Sequence, residues 1–176
     1  VGAIDNGMAA STAMTMSVTD GTGTTLTTSA INYDASSGAN VIADAISRAG
    51  TGIGIEAKGV NSATISNLNE AGTVKFALTT QTADGDGTFT TVTKPITAVI
   101  TNQNDLSALV SAINGAQATT GISASFTTTG NKSSITLSTL DGRNIGLDAF
   151  TGAGASTIDF SGTPVVVSAG ATASSA

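Results

Sequence analysis

The 176-residue chain contains no cysteine and no histidine. Without cysteine there are no disulfides and no thiolate metal ligands. Without histidine the chain lacks the commonest general base and the commonest transition-metal ligand. Together these absences exclude Ser-His-Asp and Cys-His catalytic arrangements. Tryptophan is absent too, and aromatics make up only 3%, with five Phe and the single Tyr33. The core must therefore be thin and built from Ile, Val, Leu and Ala. Charged residues are 10% of the chain and the net charge is −6, where a quarter charged is usual. The six basic residues are scattered, so there is no footprint for nucleic acid, whose phosphates need clustered Lys and Arg. For the same reason there is no basic patch for an anionic membrane. No apolar run approaches the roughly 18 residues of a spanning helix, and no signal peptide is visible. The chain opens on Val1, so it is expected to be a piece of a longer protein whose targeting information lies elsewhere.

What is present is hydroxyl. Ser and Thr together account for roughly 50 residues, beside 21 Gly. Thr favours strands because its branched Cβ packs well on a pleated surface. Period-2 alternation marks strands at Val74, Phe76 and Leu78, at Ile122, Ala124 and Phe126, and at Ile135 and Leu137. Two hairpins are expected. Met14–Val18 faces Leu26–Ile31 around Asp20-Gly-Thr-Gly23, and Val74–Thr80 faces Thr88–Thr93 around Asp84-Gly-Asp-Gly87. Pro95 belongs between strands or on an edge, since it cannot donate to a ladder. Val165–Val167 reads as a last short strand, and both small, polar termini are expected to fray.

Two helices interrupt this pattern. Asn40–Gly50 places Ile42, Ala45, Ile46 and Ala49 on one face, with Asn40 as expected N-cap and Gly50 as expected left-handed C-cap. Asn104–Gly115 places Leu106, Leu109, Val110 and Ile113 on one face. Asn104 is its expected cap, and Asp105 complements its dipole. The two helices align at an offset of 67 residues: Ile42 on Leu109, Ala45-Ile46 on Ala112-Ile113, Ala49 on Ala116, and Gly54-Ile55-x-Ala57 on Gly121-Ile122-x-Ala124. After a gap of five, Ala63–Leu68 falls on Ile135–Leu140. Each copy reads as helix, glycine turn, strand, turn, strand, an internal duplication of one unit.

Few positions invite chemistry. Asp84-Gly-Asp-Gly87 resembles the start of a calcium loop, but the bidentate Glu that closes an EF-hand is missing, so it reads as a hairpin turn. Asp141-Gly-Arg-Asn144 also reads as a turn. Gly52-Ile-Gly54 follows a helix and precedes a strand, the wrong order for a phosphate cradle. No carboxylate pair is flanked by the aromatic platforms of a sugar-cleaving site. Asn131-Lys-Ser133 is a formal N-glycosylation triplet. No catalytic, cofactor-binding or metal-binding residue is assigned.

The second repeat carries a resemblance. Asp105–Asn114, Thr120-Gly-Ile-Ser-Ala124, Ser134–Ser138 and Asp141-Gly-Arg-Asn-Ile-Gly-Leu147 resemble the "hook IN" motif of flagellins and hook-associated proteins, named for its Ile-Asn pair, here Ile113-Asn114. The first copy has Ile46-Ser47 instead, and lacks a clear Asp-Gly-x-x-Ile. Together the copies cover about half the chain. In flagellins, helical terminal regions build the filament core and a variable middle projects outward. The long helices are not in this sequence, so the resemblance implies the projecting middle.

The expected fold is therefore α+β, a β-rich arrangement of antiparallel strands with one short helix per repeated unit. Two outer subdomains are expected, 1–70 and 71–176, divided near Asn69-Glu-Ala-Gly72. The resemblance implies a structural, non-enzymatic segment of the extracellular bacterial flagellum, contributing to filament surface and motility. Its partners would be other flagellin subunits in a helical homopolymer, with no nucleic acid and no membrane insertion. O-linked glycans are expected on exposed hydroxyls such as Thr127-Thr-Thr129 and Ser36-Ser37. A hook-associated or filament-cap domain shares the motif and stays open. So does an adhesin-like module binding a glycan or a receptor.

Overall fold

The computed structural model describes residues 9–35, 37–66, 68, 70–83 and 89–151. The expected turn at 84–87, the strand at 165–167, both termini, Ser36 and Asn69 lie outside these residues. The fold is α+β and β-rich, with antiparallel sheets and few, short helices.

The chain begins with one long, irregular hairpin. β1 (Ser11–Met14) pairs with β4 (Ile31–Tyr33), and β2 (Ser17–Thr19) pairs with β3 (Thr25–Thr27). This is the expected first hairpin. Its turn is tied by Asp20, whose Oδ1 accepts from Thr22 N at 2.8 Å and Thr24 N at 3.0 Å. These hydrogen bonds, first that of the Thr22 hydroxyl, hold the Asp20 carboxyl below its ordinary range.

Helix α1 (Ala39–Gly50) follows. Ile42 and Ala45 are buried as the stripe requires, Ile46 and Ala49 only partly so, and the helix lies beside β4, whose Ile31 is buried too. Both expected caps differ from the sequence reading. Gly38 starts the helix without a side-chain cap, and Asn40 lies inside the first turn, with its N–H on Gly142 O at 3.2 Å. A tertiary acceptor has taken over a donor that a local cap would otherwise serve. Gly50 is right-handed (φ −91), and one further 3-10 turn, Thr51–Ile53, runs on to Gly54 (φ +74), which is the true left-handed stop.

β5 (Asn61–Ser66), β6 (Gly72–Ala83) and β7 (Phe89–Ile100) come next. β6 and β7 form the second expected hairpin, in register from Gly72↔Ile100 to Ala83↔Phe89. Helix α2 (Ser107–Gly115) and the short α3 (Gln117–Thr120) lead to β8 (Ile122–Thr128), β9 (Asn131–Thr139) and β10 (Asn144–Thr151). Asn104 does not cap α2. Its N–H is spent on Asn102 Oδ1, and Asp105 Oδ1 takes the Ser107 N–H at 3.0 Å. Leu106 starts the helix without a side-chain cap, as Gly38 does in α1.

The strands make two three-stranded antiparallel sheets, β10-β6-β7 and β5-β9-β8. Together with α2 they enclose one core. Val74, Phe76, Leu78, Ile96 and Ile100 come from one sheet, Ile65, Ile122, Ile135 and Leu137 from the other, and Leu109 and Ile113 from the helix, with Leu106 just before it. The expected division near residue 70 does not separate two cores. β5 pairs with β9 along its whole length, and Ala63, Ile65 and Leu68 belong to the main core.

The duplication is visible in space. At the offset of 72 residues, Thr64 corresponds to Thr136, and these two residues face each other at the centre of the β5–β9 pairing. Ala63 pairs with Leu137, and Ile65 with Ile135, so the corresponding positions swap as a local two-fold axis demands. One expected element is missing. Residues 55–60, the counterpart of β8, run straight into β5 and form no strand. The five-residue gap in the alignment is the cause: it removes the residues that would let the chain turn back, so strand and strand cannot pair.

Candidate functional site

The most site-like region lies where α2, α3 and β8 meet the turn before β10, and it is built around Asn114. Ile113 is fully buried in the core, which fixes the last turn of α2 on the sheet. Asn114 then projects to the edge of β8. Its Nδ2 donates to Ala124 O at 3.0 Å, and its Oδ1 accepts from Ala124 N at 2.7 Å. A carboxamide has one donor and one acceptor side by side, the same pair that a neighbouring strand would offer. Asn114 therefore takes the place of a fourth strand at that point.

The first repeat does the same with a hydroxyl. Ser47 Oγ accepts from Ala57 N at 2.9 Å and donates to Ala57 O at 3.2 Å. Ser47 and Ala57 sit 67 residues before Asn114 and Ala124. Both clamps span the same short loop, closed in each copy by a left-handed glycine, Gly54 or Gly121. At Gly121 a side chain is disfavoured because φ is +70.

Arg143 ties the region together. Its Nε donates to Asp141 Oδ1 at 2.9 Å, its Nη2 pairs with Asp141 Oδ2, and its Nη1 reaches Thr120 O at 3.3 Å, at the end of α3. The hydrogen-bonded guanidinium holds the Asp141 carboxyl below the usual carboxylate range, and the carboxylate raises the Arg143 pKa in turn. Beside this pair lies an open groove of about 560 Å³, lined by Asn114, Gln117, Gly121, Ser123, Leu140 and Asp141. Leu140 is 77% exposed at its rim. The carboxylate is kept ionised and occupied by Arg143, which suits it to positioning and not to proton transfer near neutral pH.

The other sequence candidates are placed as follows. Asp141, Gly142 and Arg143 make the bend between β9 and β10, with Gly142 at φ +71, and Asn144 opens β10. Asn131 Oδ1 accepts from Ser133 N and Oγ at the start of β9, where Asn131 is exposed and Ser133 half-buried. Thr127, Thr128 and Thr129 are exposed, whereas Ser37 is only 1% exposed, which removes the Ser37 hydroxyl as an accessible glycan acceptor. Among the described residues no group of three or more His, Cys, Asp and Glu could hold a metal, and no helix is long and apolar enough to cross a membrane. The Ser47 clamp was readable only through the alignment at 67, since nothing about a lone Ser in a helix announces it. In comparisons with known proteins, the chain matches no family model, no curated relative and no solved structure.

Proposed function

We propose that the chain is a structural segment of a bacterial flagellar filament, the variable outer region of a flagellin, with no catalytic role. The observation that carries this reading is the division of labour within Ile113-Asn114. Ile113 anchors the helix in the core, and Asn114 closes the edge of β8. The hook IN resemblance named that pair, and the geometry gives each residue a structural task. The sheet β5-β9-β8 supports the same reading from its outer face. Ser62, Thr64 and Ser66, Ser134, Thr136 and Ser138, and Ser123, Ser125 and Thr127 all face away from the core. Such a face is neutral and hydrated, apt for the outside of a polymer. In this reading the segment sits extracellularly, sets the filament's surface properties, and carries O-linked glycans, where present, on exposed hydroxyls such as those of Thr127–Thr129.

Immunogold electron microscopy with antibody raised against the segment tests the proposal. Label along whole extracellular filaments is the expected result. Label confined to the hook junction or the tip moves the segment to a hook-associated or cap protein. Label on the envelope but not on filaments ends the flagellar reading and favours an adhesin.

A further inference from the structure

Four strand edges close the two main sheets, and three of them are blunted. The β8 edge is occupied by the Asn114 carboxamide at Ala124 and by the Thr120 hydroxyl, which accepts from Ile122 N at 3.2 Å. The β7 edge carries Pro95 at its middle, opposite Ala77. Proline has no N–H, so it interrupts the row of donors that another strand would need. The β10 edge ends in a register break between Asp148 and Thr151, with Ala149 in a left-handed conformation (φ +51). A bulge of this kind bends a strand away from further pairing.

The β5 edge has none of these devices. Its direction follows from the clamp. Because Ala124 turns its N–H and C=O outward to Asn114, it is Ser123 and Ser125 that bond to β9, through Ser138 and Thr136. β9 then turns Ile135 and Leu137 toward β5, where they bond to Ile65 and Ala63. The backbone groups of Ser62, Thr64 and Ser66 therefore point to the open side. Among the described residues no backbone hydrogen bond reaches them. Under the local two-fold, this open side is where the first repeat's own counterpart of β8 would pair, had the five-residue gap not removed its turn.

We propose that this edge is a self-association surface, and that its occupant is β5 of a second copy of the chain. A strand seated there needs apolar residues toward the core side and small hydroxyls on the outer side. β5 itself, Asn61-Ser-Ala-Thr-Ile-Ser66, has that alternation. It carries no charge, so two copies meet across a two-fold axis without like-charge repulsion, although the chain's net charge is −6. Antiparallel pairing centred on Thr64 sets Thr64 against its twin and Ser62 against Ser66 of the partner subunit. Every outward N–H and C=O of the three residues then finds a partner. Val60, 46% exposed just before the strand, gains apolar cover at the margin. The two outer hydroxyl faces become one continuous face. The inference does not depend on the flagellar reading, since it concerns the chain alone.

Sedimentation velocity of the 176-residue chain over a wide concentration range tests it, with Thr64→Pro as the key variant. Proline at 64 deletes an outward N–H and leaves the bonds to β9 intact, since those run through Ala63 and Ile65. The expected result is a reversible monomer–dimer equilibrium that Thr64→Pro weakens at least about tenfold, while the urea midpoint stays close to that of the parent. A second variant, Thr64→Lys, places two like charges face to face and is expected to weaken the dimer in a salt-dependent way. A chain that stays monomeric at the highest concentration reached overturns the inference, as does a dimer indifferent to both variants.

Discussion

At the scale of single residues, Asn114 shows how much one side chain can decide. Its amide satisfies two backbone groups of Ala124 that the sheet leaves unpaired. Asn114→Ala strands both, at a cost of about 1–3 kcal/mol, and should lower Tm by roughly 2–10 °C in a chain of this size. Asn114→Ser should fall between the two, because Ser47 performs the same double bond with a hydroxyl in the first repeat. Thermal denaturation followed by circular dichroism is the check, and an alanine variant as stable as the parent would refute the clamp. Asp141 gives a pH dependence whose sign is fixed. Arg143 depresses its folded pKa, so the pair contributes stability above the unfolded carboxylate value of about 4. That contribution fades as the pH falls through the lower folded value. Asp141→Asn should therefore lose stability at neutral pH and show a shallower decline than the parent as the pH falls below about 4, as measured by Tm against pH.

At the scale of elements, the question is where each strand stops pairing. The hairpin β6–β7 was legible from the alternation at Val74, Phe76 and Leu78, but β7 runs past the expected end at Thr93 to Ile100, and Pro95, expected between strands or on an edge, lies within this edge strand. The same residue supplies a test. Pro95→Thr restores an outward N–H in the middle of β7 and should promote intermolecular pairing, seen as faster growth of light scattering at unchanged secondary structure. If scattering does not change, Pro95 is not what protects that edge. The helices were legible as elements but not at their ends. Asn40 and Asn104 are good caps by local propensity, yet the helices start at Gly38 and Leu106, which leaves Asn40 inside the first turn and Asn104 two residues ahead of Leu106. Gly50 lost the left-handed role to Gly54 because one more helical turn fitted before the chain had to reverse. Local rules assign a task to the most suitable residue nearby, and tertiary contacts reassign it by a few positions.

At the scale of the whole molecule, β5 is the element that joins the repeats. A break at 70 looked natural because a polar stretch separates two strand runs, but Ala63, Ile65 and Leu68 fill the same core as Leu109 and Ile135. A fragment of residues 71–176 should consequently lose cooperative unfolding and amide dispersion in NMR spectra, and a fragment of residues 60–176 should recover both. Equal dispersion in the two fragments would mean that the second repeat closes its core without β5. The reason to expect otherwise is that few large side chains are available. With aromatics at 3%, losing Ile65 of β5 and Leu68 just after it removes a large share of the apolar surface that offsets chain entropy.

Composition and periodicity alone determined that the chain is β-rich with two short amphipathic helices. They also placed both hairpins, revealed a duplication at 67 residues, and excluded catalysis that requires histidine or cysteine. All of these are properties of residue type and spacing along the chain. Only the tertiary structure decided that β5 of the first repeat fills the core of the second, that residues 55–60 form no strand, that Ser47 and Asn114 perform one task with different chemistry, and that the β5 edge is left open. Each of those depends on which backbone groups remain unpaired once the sheets have formed. That is settled by contacts between residues far apart in the chain, which no local pattern records.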